Sequence, residues 1–236
     1  MSRKHAVAPA RRWLAPLILL ALTAAAPVRA ADQAVVTELS GQVTATTADG
    51  RARDLGEGSV VFATETVATG PEGRISLRFT DGSRFDLGPD AAMVVERYVY
   101  TPRGAENRIT TRILRGTFRF VSGLIARLRP ESMRVDLPVA AIGIRGTRVA
   151  GEADADSAVV VLLAPEDEPE RPTAIQVSNQ YGLVVVDRPG WGTEVPDRFS
   201  PPSPPRRMNT DTLNRLNRSM QTLRRVITPR LPPRLP

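Results

Sequence analysis

The sequence has 236 residues, with 32 Lys and Arg against 25 Asp and Glu and no cysteine. Thirteen of the basic residues lie in residues 1–30 and 206–236, so residues 31–205 keep 19 basic and 24 acidic residues and a net charge of −5. This mildly acidic body argues against nucleic-acid binding, and the absence of cysteine excludes a disulfide framework, so packing has to stabilise the fold.

Residues 1–30 have the layout of a secretory signal peptide. Four Lys and Arg residues lie among the first twelve, and residues 13–26 are apolar apart from Thr23. Val28-Arg29-Ala30 then places small residues at the −3 and −1 positions of a cleavage site before Ala31. The apolar stretch is shorter than a membrane-spanning helix requires. We therefore expect cleavage before Ala31 and a periplasmic location, with an uncleaved N-terminal anchor as the alternative.

Residues 35–199 consist of short alternating runs separated by turn residues, which is typical of β-strands. Ile75, Leu77 and Phe79 point to one face, and Asp81-Gly82 follows as a turn that tolerates positive φ. Phe85 then resumes the alternation on the inward side, so we expect Phe79 and Phe85 to be buried. The pattern predicts an all-β fold with twisted, solenoid-like or sandwich-like antiparallel sheets, plus a C-terminal amphipathic helix. Further strands are predicted at 60–69, 93–100, 109–114, 117–121, 132–137, 141–149, 159–163, 174–178 and 183–187.

Helical patterns occur in two places. Residues 122–129 predict about two turns that end at Pro130, and residues 209–228 predict a longer basic amphipathic helix. The predicted organisation is a signal peptide at 1–30, a β-domain at 31–199, a proline-rich linker at 200–208, the basic helix at 209–228 and a proline-rich end at 229–236.

The C-terminal helix has an apolar stripe that needs a surface to cover it, because an isolated helix of this length is marginal in water. That surface is the flank of its own domain, a second copy of the helix, a groove on a partner protein or an anionic membrane. We favour an intermolecular contact, because the proline-rich linker is expected to hold the helix away from the domain. The candidate contact residues at helical spacing are Leu213, Leu216, Met220, Leu223 and Ile227.

Several short motifs occur in a recognisable order along the chain. They are Gly41-Gln42-Val43, Leu55-Gly56-Glu57-Gly58, Thr80-Asp81-Gly82-Ser83, Leu87-Gly88-Pro89, Leu114-Arg115-Gly116-Thr117 and Ile144-Arg145-Gly146-Thr147. As a set they resemble the FecR family, the periplasmic regulators named for ferric citrate uptake. The resemblance implies an all-β periplasmic domain that relays a signal through protein contacts. Regulators of this kind carry an anti-sigma segment and a membrane helix where this sequence has a signal peptide, so we expect a free-standing periplasmic relative.

The residues available for catalysis are few. The only lysine, Lys4, and the only histidine, His5, lie in the segment expected to be removed. Without His, Lys or Cys, the mature chain has no Ser-His-Asp or Cys-His triad, no Schiff-base lysine and no His/Cys zinc site. Carboxylate chemistry and cation binding remain, and for Asp154 and Asp156 a polar turn is favoured over a Ca²⁺ site. We expect no enzymatic activity, no catalytic or metal-binding residues and no cofactor.

The remaining candidates are for contacts with other molecules. Arg145 is a candidate partner contact, although we favour a bulge or a positive φ at Gly146 with Arg145 paired to an acidic neighbour. Trp191 lies among small residues and fits a contact anchor or edge packing equally well. Asp81-Gly82-Ser83 fits a ligand-facing tip less well than ordinary hairpin chemistry.

The expected function is that of a periplasmic, non-enzymatic interaction or signalling module with an envelope protein as partner. A structural envelope component that binds peptidoglycan, polysaccharide or an outer-membrane protein remains an alternative, as does an enzyme with a carboxylate pair.

Overall fold

A computed structural model describes residues 33–165 and 172–221, so the predicted signal peptide lies outside the described residues. The predicted all-β class with a C-terminal helix is confirmed. The elements of the first part are β1 Gln33–Ser40, β2 Val43–Thr46, β3 Ala52–Asp54, β4 Val60–Phe62, β5 Thr66–Thr69, β6 Arg74–Phe79, β7 Arg84–Leu87, β8 Ala92–Val99 and β9 Arg108–Val121. They are followed by α1 Leu124–Leu128, β10 Met133–Asp136, β11 Ala141–Arg145, β12 Arg148–Ala153, β13 Ala158–Leu163, β14 Ala174–Asn179, β15 Gly182–Val186, β16 Trp191–Val195, β17 Arg206–Arg207 and α2 Thr210–Met220.

The strands form two sheets that share β9. Sheet A has the order β4, β1, β6, β7, β9, β12, β13, β16, β17. Sheet B has the order β3, β2, β5, β8, β9, β10, β11, β14, β15. The arrangement is the sandwich-like alternative of the sequence prediction, because alternating side chains from both sheets meet in one apolar core.

The long strand β9 was predicted as two strands, 109–114 and 117–121. The structure joins them through Gly116, which has a φ of +91°. Residues before Gly116 pair with β8 in sheet B, and residues after it pair with β7 and β12 in sheet A. An ideal Cβ on Gly116 would lie 2.5 Å from the Cα of Ala91. Glycine is therefore required where the strand passes from one sheet to the other.

The prediction of purely antiparallel sheets was wrong at one place, because β10 pairs with β9 in parallel, with Met133 opposite Ile109. Parallel neighbours need a crossover connection between them. Residues 122–132 supply it, and they contain α1 and a 3₁₀ turn at Pro130–Ser132. The predicted short helix at 122–129 is thus present as α1, and its role is to return the chain to the start of β9.

Two other predicted strands are divided by corners that carry the chain from one sheet to the other. The stretch 60–69 is two strands, β4 in sheet A and β5 in sheet B, with Thr64 at a φ of +72° between them. The stretch 141–149 is split at Gly146, which has a φ of +55°, into β11 in sheet B and β12 in sheet A. Alternation of side chains continues through the first corner, so the sequence pattern did not reveal it. At the second corner the alternation shifts by one residue, from buried Ile142 and Ile144 to buried Thr147 and Val149.

The core is centred on aromatic side chains of β6, β7, β8 and β9. The Phe79 ring lies 5.5 Å from that of Phe85 and 4.8 Å from that of Tyr98, in edge-to-face geometry. The Phe85 ring lies 5.5 Å from that of Phe120. The predicted burial of Phe79 and Phe85 is confirmed, with exposed fractions of 2% and 0%.

Candidate interaction surface

The Asp81-Gly82-Ser83 turn closes the hairpin between β6 and β7. The Gly82 N–H donates to the Phe79 carbonyl at 2.9 Å, and the Phe79 N–H donates to the Ser83 carbonyl at 2.9 Å. Gly82 has a φ of +85°, as the third residue of a three-residue hairpin loop with a G1 bulge requires. The turn predicted from the sequence is therefore present, and its glycine is needed for conformation.

The Asp81 carboxylate points into the protein. It is 1% exposed, and it accepts hydrogen bonds from the Ser83 N–H at 3.0 Å, the Ser83 hydroxyl at 2.8 Å and the Ile125 N–H at 3.2 Å. The Ser83 hydroxyl in turn accepts from the Gly123 N–H at 3.0 Å. These bonds join the hairpin to the start of α1, so the side chains of Asp81 and Ser83 are structural and do not form a ligand-facing tip.

Tyr98 completes this buried network. Its hydroxyl accepts the Asp81 backbone N–H at 2.9 Å. Burial raises the pKa of Tyr98 far above its ordinary value, and the nearby Asp81 carboxylate raises it further. Tyr98 therefore stays neutral, and its hydroxyl acts as a hydrogen-bonding anchor for the turn.

Two further buried carboxylates are held by arginines. Asp86 accepts from the Ser76 hydroxyl at 2.6 Å and from Arg119 Nε and Nη2 at 2.7 and 2.6 Å. Glu65 accepts from Arg53 Nη2 at 2.7 Å and from the Phe62 N–H at 2.9 Å. Charge-assisted hydrogen bonds of this kind are stronger than those between neutral groups. Both groups connect neighbouring strands.

The predicted polar turn at Asp154 and Asp156 connects β12 to β13. The Asp154 N–H donates to the Ser157 carbonyl at 2.9 Å, and the Asp156 carboxylate accepts from Arg198 Nε at 2.9 Å. Among residues 33–165 and 172–221, no group of three or more His, Cys, Asp and Glu side chains is placed to hold a metal ion. The geometry fits the turn interpretation.

A small cavity of about 110 Å³ lies beside α1, lined by Arg103, Gly104, Asn107, Ile125, Leu128 and Arg129. Its polar groups are used internally. Arg129 donates to the Gly104 carbonyl at 2.6 Å and also to the Ala105 carbonyl. The Asn107 side chain bonds the Thr101 backbone twice, at 2.8 Å each. The cavity is too small, and its polar groups too fully engaged, to suggest a substrate site.

The proline-rich segment 200–208 follows the edge of sheet A and does not extend into solvent. The Ser203 N–H donates to the Glu194 carbonyl at 2.8 Å, and the Thr193 hydroxyl donates to the Ser203 carbonyl at 2.6 Å. The Met208 N–H donates to the Gly190 carbonyl at 2.9 Å, and the Met208 side chain is buried. Extended chain has no internal hydrogen bonds, so the non-proline residues are free to pair with a sheet edge.

Helix α2 consequently lies on the outer face of sheet A, contrary to the expectation that the linker holds it away. It begins at Asn209, whose side chain accepts the Thr212 N–H at 2.7 Å. Leu216 and Met220 are buried, and Leu216 packs in a cluster with Ala150, Val161 and Met208 that Leu213 also contacts. Of the predicted contact stripe, Leu213, Leu216 and Met220 thus face the domain, and Leu223 and Ile227 lie outside the described residues.

Two polar contacts hold α2 in this position. Arg74 Nε donates to the Ser219 carbonyl at 3.0 Å, and Arg215 Nη2 lies 3.3 Å from Glu152 Oε2. The backbone of Ser219 also approaches Gly88, where a Cβ would lie 3.1 Å from the Ser219 carbonyl oxygen. Gly88 belongs to the Leu87-Gly88-Pro89 motif, and its lack of a side chain leaves room for α2.

At its C-terminal end, the outer face of sheet B carries exposed side chains. Gln176 on β14 lies opposite Val185 on β15, and Gly143 on β11 lies opposite Gln176, so these side chains share one face. Leu183, Val185 and the adjoining Tyr181 are 54%, 51% and 45% exposed. We call this surface the open face and define it by Arg145, Gln176, Tyr181, Leu183 and Val185.

Sequence reasoning identified only Arg145 among these five residues. Arg145 is exposed on the open face, has no ion pair among the described residues and lies opposite Ala174. The expected pairing with an acidic neighbour stays a prediction, and the expected positive φ at Gly146 is confirmed. Leu183 and Val185 were missed because a run of apolar residues in a strand suggests burial on both faces. The turn residues that lie next to this strand in the sequence were the signal from which an edge strand could have been predicted.

The Trp191 side chain is less exposed than the residues of the open face. It is partly buried against the core at the start of β16, and the Arg188 guanidinium lies 5.1 Å from the centre of its ring. This cation–π contact fixes the loop between β15 and β16. The geometry fits edge packing, and a role for Trp191 as a partner anchor stays a prediction.

Comparison with known families gives a match over the central part of the chain. Residues 65–164 match the family model described as FecR protein, which confirms the resemblance derived from the sequence. The match runs from β5 through β13 and includes the Asp81 network, Gly116 and Arg145. Strands β14 and β15, which form most of the open face, lie beyond it.

Solved structures give a more distant likeness. Two crystal structures of a candidate anti-sigma factor from Parabacteroides distasonis, at 1.65 and 2.50 Å resolution, each align with a TM-score of 0.46 and 12% identity. The alignment covers 63% of this chain and 62% of that chain, which is less than two thirds of its length. At this level the likeness carries no argument about partners. The comparison with curated proteins found no match. None of the helices in the described residues is long and apolar enough to cross a membrane.

Proposed function

We propose that the protein is a periplasmic, non-enzymatic module that takes part in envelope signalling through protein contacts. The observation that carries the proposal is the match of residues 65–164 to the FecR family. Inside that match, the Asp81 carboxylate of the Asp-Gly-Ser motif accepts internal hydrogen bonds from Ser83 and Ile125. Because these polar groups are engaged in holding the fold, the matched region is best understood as a scaffold that presents a surface.

The open face is the surface that we assign to the partner. It combines Arg145, which has no ion pair within residues 33–165 and 172–221, with exposed apolar side chains at Leu183 and Val185. Arginine and tyrosine are enriched where proteins bind one another, and the open face carries Arg145 and the 45% exposed Tyr181. The outer face of sheet A is a poorer choice, because α2 covers its apolar residues Ala150 and Val161.

Site-specific photo-crosslinking in cells tests this assignment. A photoreactive amino acid at Gln176, in the middle of the open face, should give a discrete adduct with one envelope protein. The same amino acid at Arg78, which is exposed on sheet A, is the matched control and should not give that adduct. Mass spectrometry of the adduct then identifies the partner.

A second set of variants links the adduct to the residues of the open face. Arg145→Glu and Leu183→Asp should each abolish the Gln176 adduct while leaving the melting temperature close to that of the unaltered protein. An adduct that forms equally well from Arg78, or that survives both substitutions, would contradict the assigned surface. Retention of the purified protein on peptidoglycan sacculi, without a protein adduct, would support the structural envelope role instead.

A further inference from the structure

Four strands lie at the ends of the two sheets, and they differ in length and composition. In sheet A the end strands are β4, with three residues, and β17, with two, and in sheet B β3 has three residues. The fourth, β15, has five residues of sequence Gly-Leu-Val-Val-Val and pairs only with β14 among the described strands. Proteins protect exposed edges by keeping them short or charged, and β15 is neither.

The free hydrogen-bonding groups of β15 are identified by its hairpin. Asn179 lies opposite Gly182 across a two-residue loop, which places this closing pair at a hydrogen-bonded position of the ladder. The Gly182 N–H also donates to the Asn179 side-chain oxygen at 3.2 Å. In an antiparallel pair, hydrogen-bonded and non-hydrogen-bonded positions alternate. Leu183 and Val185 therefore direct their N–H and C=O groups away from β14. No backbone hydrogen bond from the described residues reaches them on that side.

We propose that β15 pairs with β15 of a second copy of this chain, antiparallel and about a two-fold axis through Val184. In this register Leu183 of one copy lies opposite Val185 of the other, and each such pair exchanges two backbone hydrogen bonds. The register uses every free group of Leu183 and Val185, and it brings the apolar side chains of the two open faces side by side. Sheet B then continues from one copy into the other.

The occupant is a second copy because this edge is complementary to itself. Gly182–Val186 contains no charged residue. In the two-fold register Asp187 lies opposite Tyr181 and Arg188 lies opposite Gln180, so no like charges oppose each other. The contact is isologous, as expected of a closed dimer. It is also small, and we expect a dissociation constant on the order of micromolar to tens of micromolar. This dimer does not depend on the proposed partner.

Sedimentation velocity of the purified protein over a range of concentrations tests the dimer. The unaltered protein should change from monomer to dimer across the micromolar range. Val185→Pro removes an outward N–H without removing a bond to β14, so it should raise the dissociation constant at least about tenfold. The control Leu128→Ser changes a 68% exposed side chain on α1 and should leave the dimer unchanged.

Cysteine crosslinking tests the register, because the sequence contains no cysteine of its own. A mixture of the Leu183→Cys and Val185→Cys chains should form a disulfide-linked dimer faster than either variant alone, because only the mixed pair is directly opposed. A protein that stays monomeric at all concentrations overturns the proposal, as does a dimer that Val185→Pro leaves intact. Equal crosslinking of the mixture and the single variants overturns the register.

Discussion

Strands β13 and β15 have nearly the same sequence character and opposite surroundings. Ala158–Leu163 reads Ala-Val-Val-Val-Leu-Leu and Gly182–Val186 reads Gly-Leu-Val-Val-Val. The outward Val161 of β13 is 0% exposed because α2 covers it, whereas the outward Val185 of β15 is 51% exposed. An apolar residue on the outer face of a sheet is therefore core or contact surface according to what the rest of the chain places over it.

The two sheets thus differ in whether their outer face is covered, and not in the sequence patterns of their strands. Sheet A carries a helix and a paired proline-rich segment on its outer side and edge, and both come from the C-terminal end of the described chain. Within residues 33–165 and 172–221, neither feature covers sheet B at β15. This asymmetry lets one face contribute to stability and leaves the other for contacts. The following predictions test it, beginning with the residue on which both sheets depend.

Gly116→Ala should have the largest effect, because β9 belongs to both sheets. The added Cβ would lie 2.5 Å from the backbone of Ala91, and the φ of +91° is unfavourable for any residue with a side chain. We expect a loss of about 3–5 kcal/mol in the free energy of unfolding. Urea denaturation followed by circular dichroism measures it. A loss below about 1 kcal/mol would mean that β9 tolerates a different path between the sheets.

Leu216→Ala compared with Leu183→Ala measures the difference between the two faces directly. Leu216 is 2% exposed under α2, so its truncation should cost about 2–3 kcal/mol. Leu183 is 54% exposed, so the same change should stay within about 0.5 kcal/mol. Chemical denaturation of both variants at a concentration where the protein is monomeric gives the comparison. Equal losses would show that α2 does not contribute its packing in solution.

Removal of residues 206–236 extends the same test to the whole covering segment. The deletion uncovers Ala150 and Val161 and removes the Arg74 and Arg215 contacts. The melting temperature should fall by about 5–10 °C, in contrast to the small change expected if the linker held the helix away from the domain. Differential scanning calorimetry is the measurement. An unchanged melting temperature would restore the interpretation of the helix as a free contact element.

Gly82→Val should have a smaller effect than Gly116→Ala. Gly82 also has a positive φ, +85°, but no atom lies within 4 Å of an ideal Cβ at this position. The cost is backbone strain alone, about 1–2 kcal/mol. Gly82→Asn, which tolerates this conformation better, should recover part of the loss. A thermal melt of Gly82→Val that matches the unaltered protein would contradict the hairpin geometry.

The smallest effect concerns Asp197, at the turn that leads into the segment along sheet A. The Ser200 hydroxyl and the Phe199 N–H donate to its carboxylate and hold its pKa below the ordinary value of 3.8. A lowered folded-state pKa stabilises the protein above about pH 4, and this contribution is lost as the pH falls through the folded-state pKa. NMR titration should give a pKa of Asp197 below 3.8. Asp197→Asn should remove the part of the protein's stability that depends on the ionisation of this carboxylate. A value at or above 3.8 would contradict the turn.

Much of the fold followed from local patterns. The Asp81-Gly82 turn, the burial of Phe79 and Phe85, the positive φ of Gly146 and the short helix before Pro130 were all predicted from neighbouring residues. Each depends on turn chemistry or side-chain alternation that acts over a few residues. The division of 60–69 and 141–149, and the joining of the two halves of β9, were not predicted, because alternation does not report the sheet to which a strand belongs.

The candidate surface was less accessible to sequence reasoning than the fold. Arg145 was recognised as part of the Ile144-Arg145-Gly146-Thr147 motif, whereas Leu183 and Val185 have the composition of core residues. Leu213, Leu216 and Met220 were recognised as an apolar stripe that must be covered, but the covering surface was assigned to another molecule. In both cases the residues were correctly recognised as apolar. The sequence did not show which residues from distant parts of the chain pack against them.

The sequence by itself determined the all-β class, the turn at Gly82, the amphipathic nature of α2 and the FecR resemblance of the central region. These properties depend on side-chain type at short spacing, where propensity and alternation act. Only the tertiary structure decided which apolar face is covered, because burial of Val161 and exposure of Val185 depend on contacts with residues far away in the chain. The sequence determines how much apolar surface the chain has. The packing of segments that are distant in the chain determines which part of that surface stays exposed.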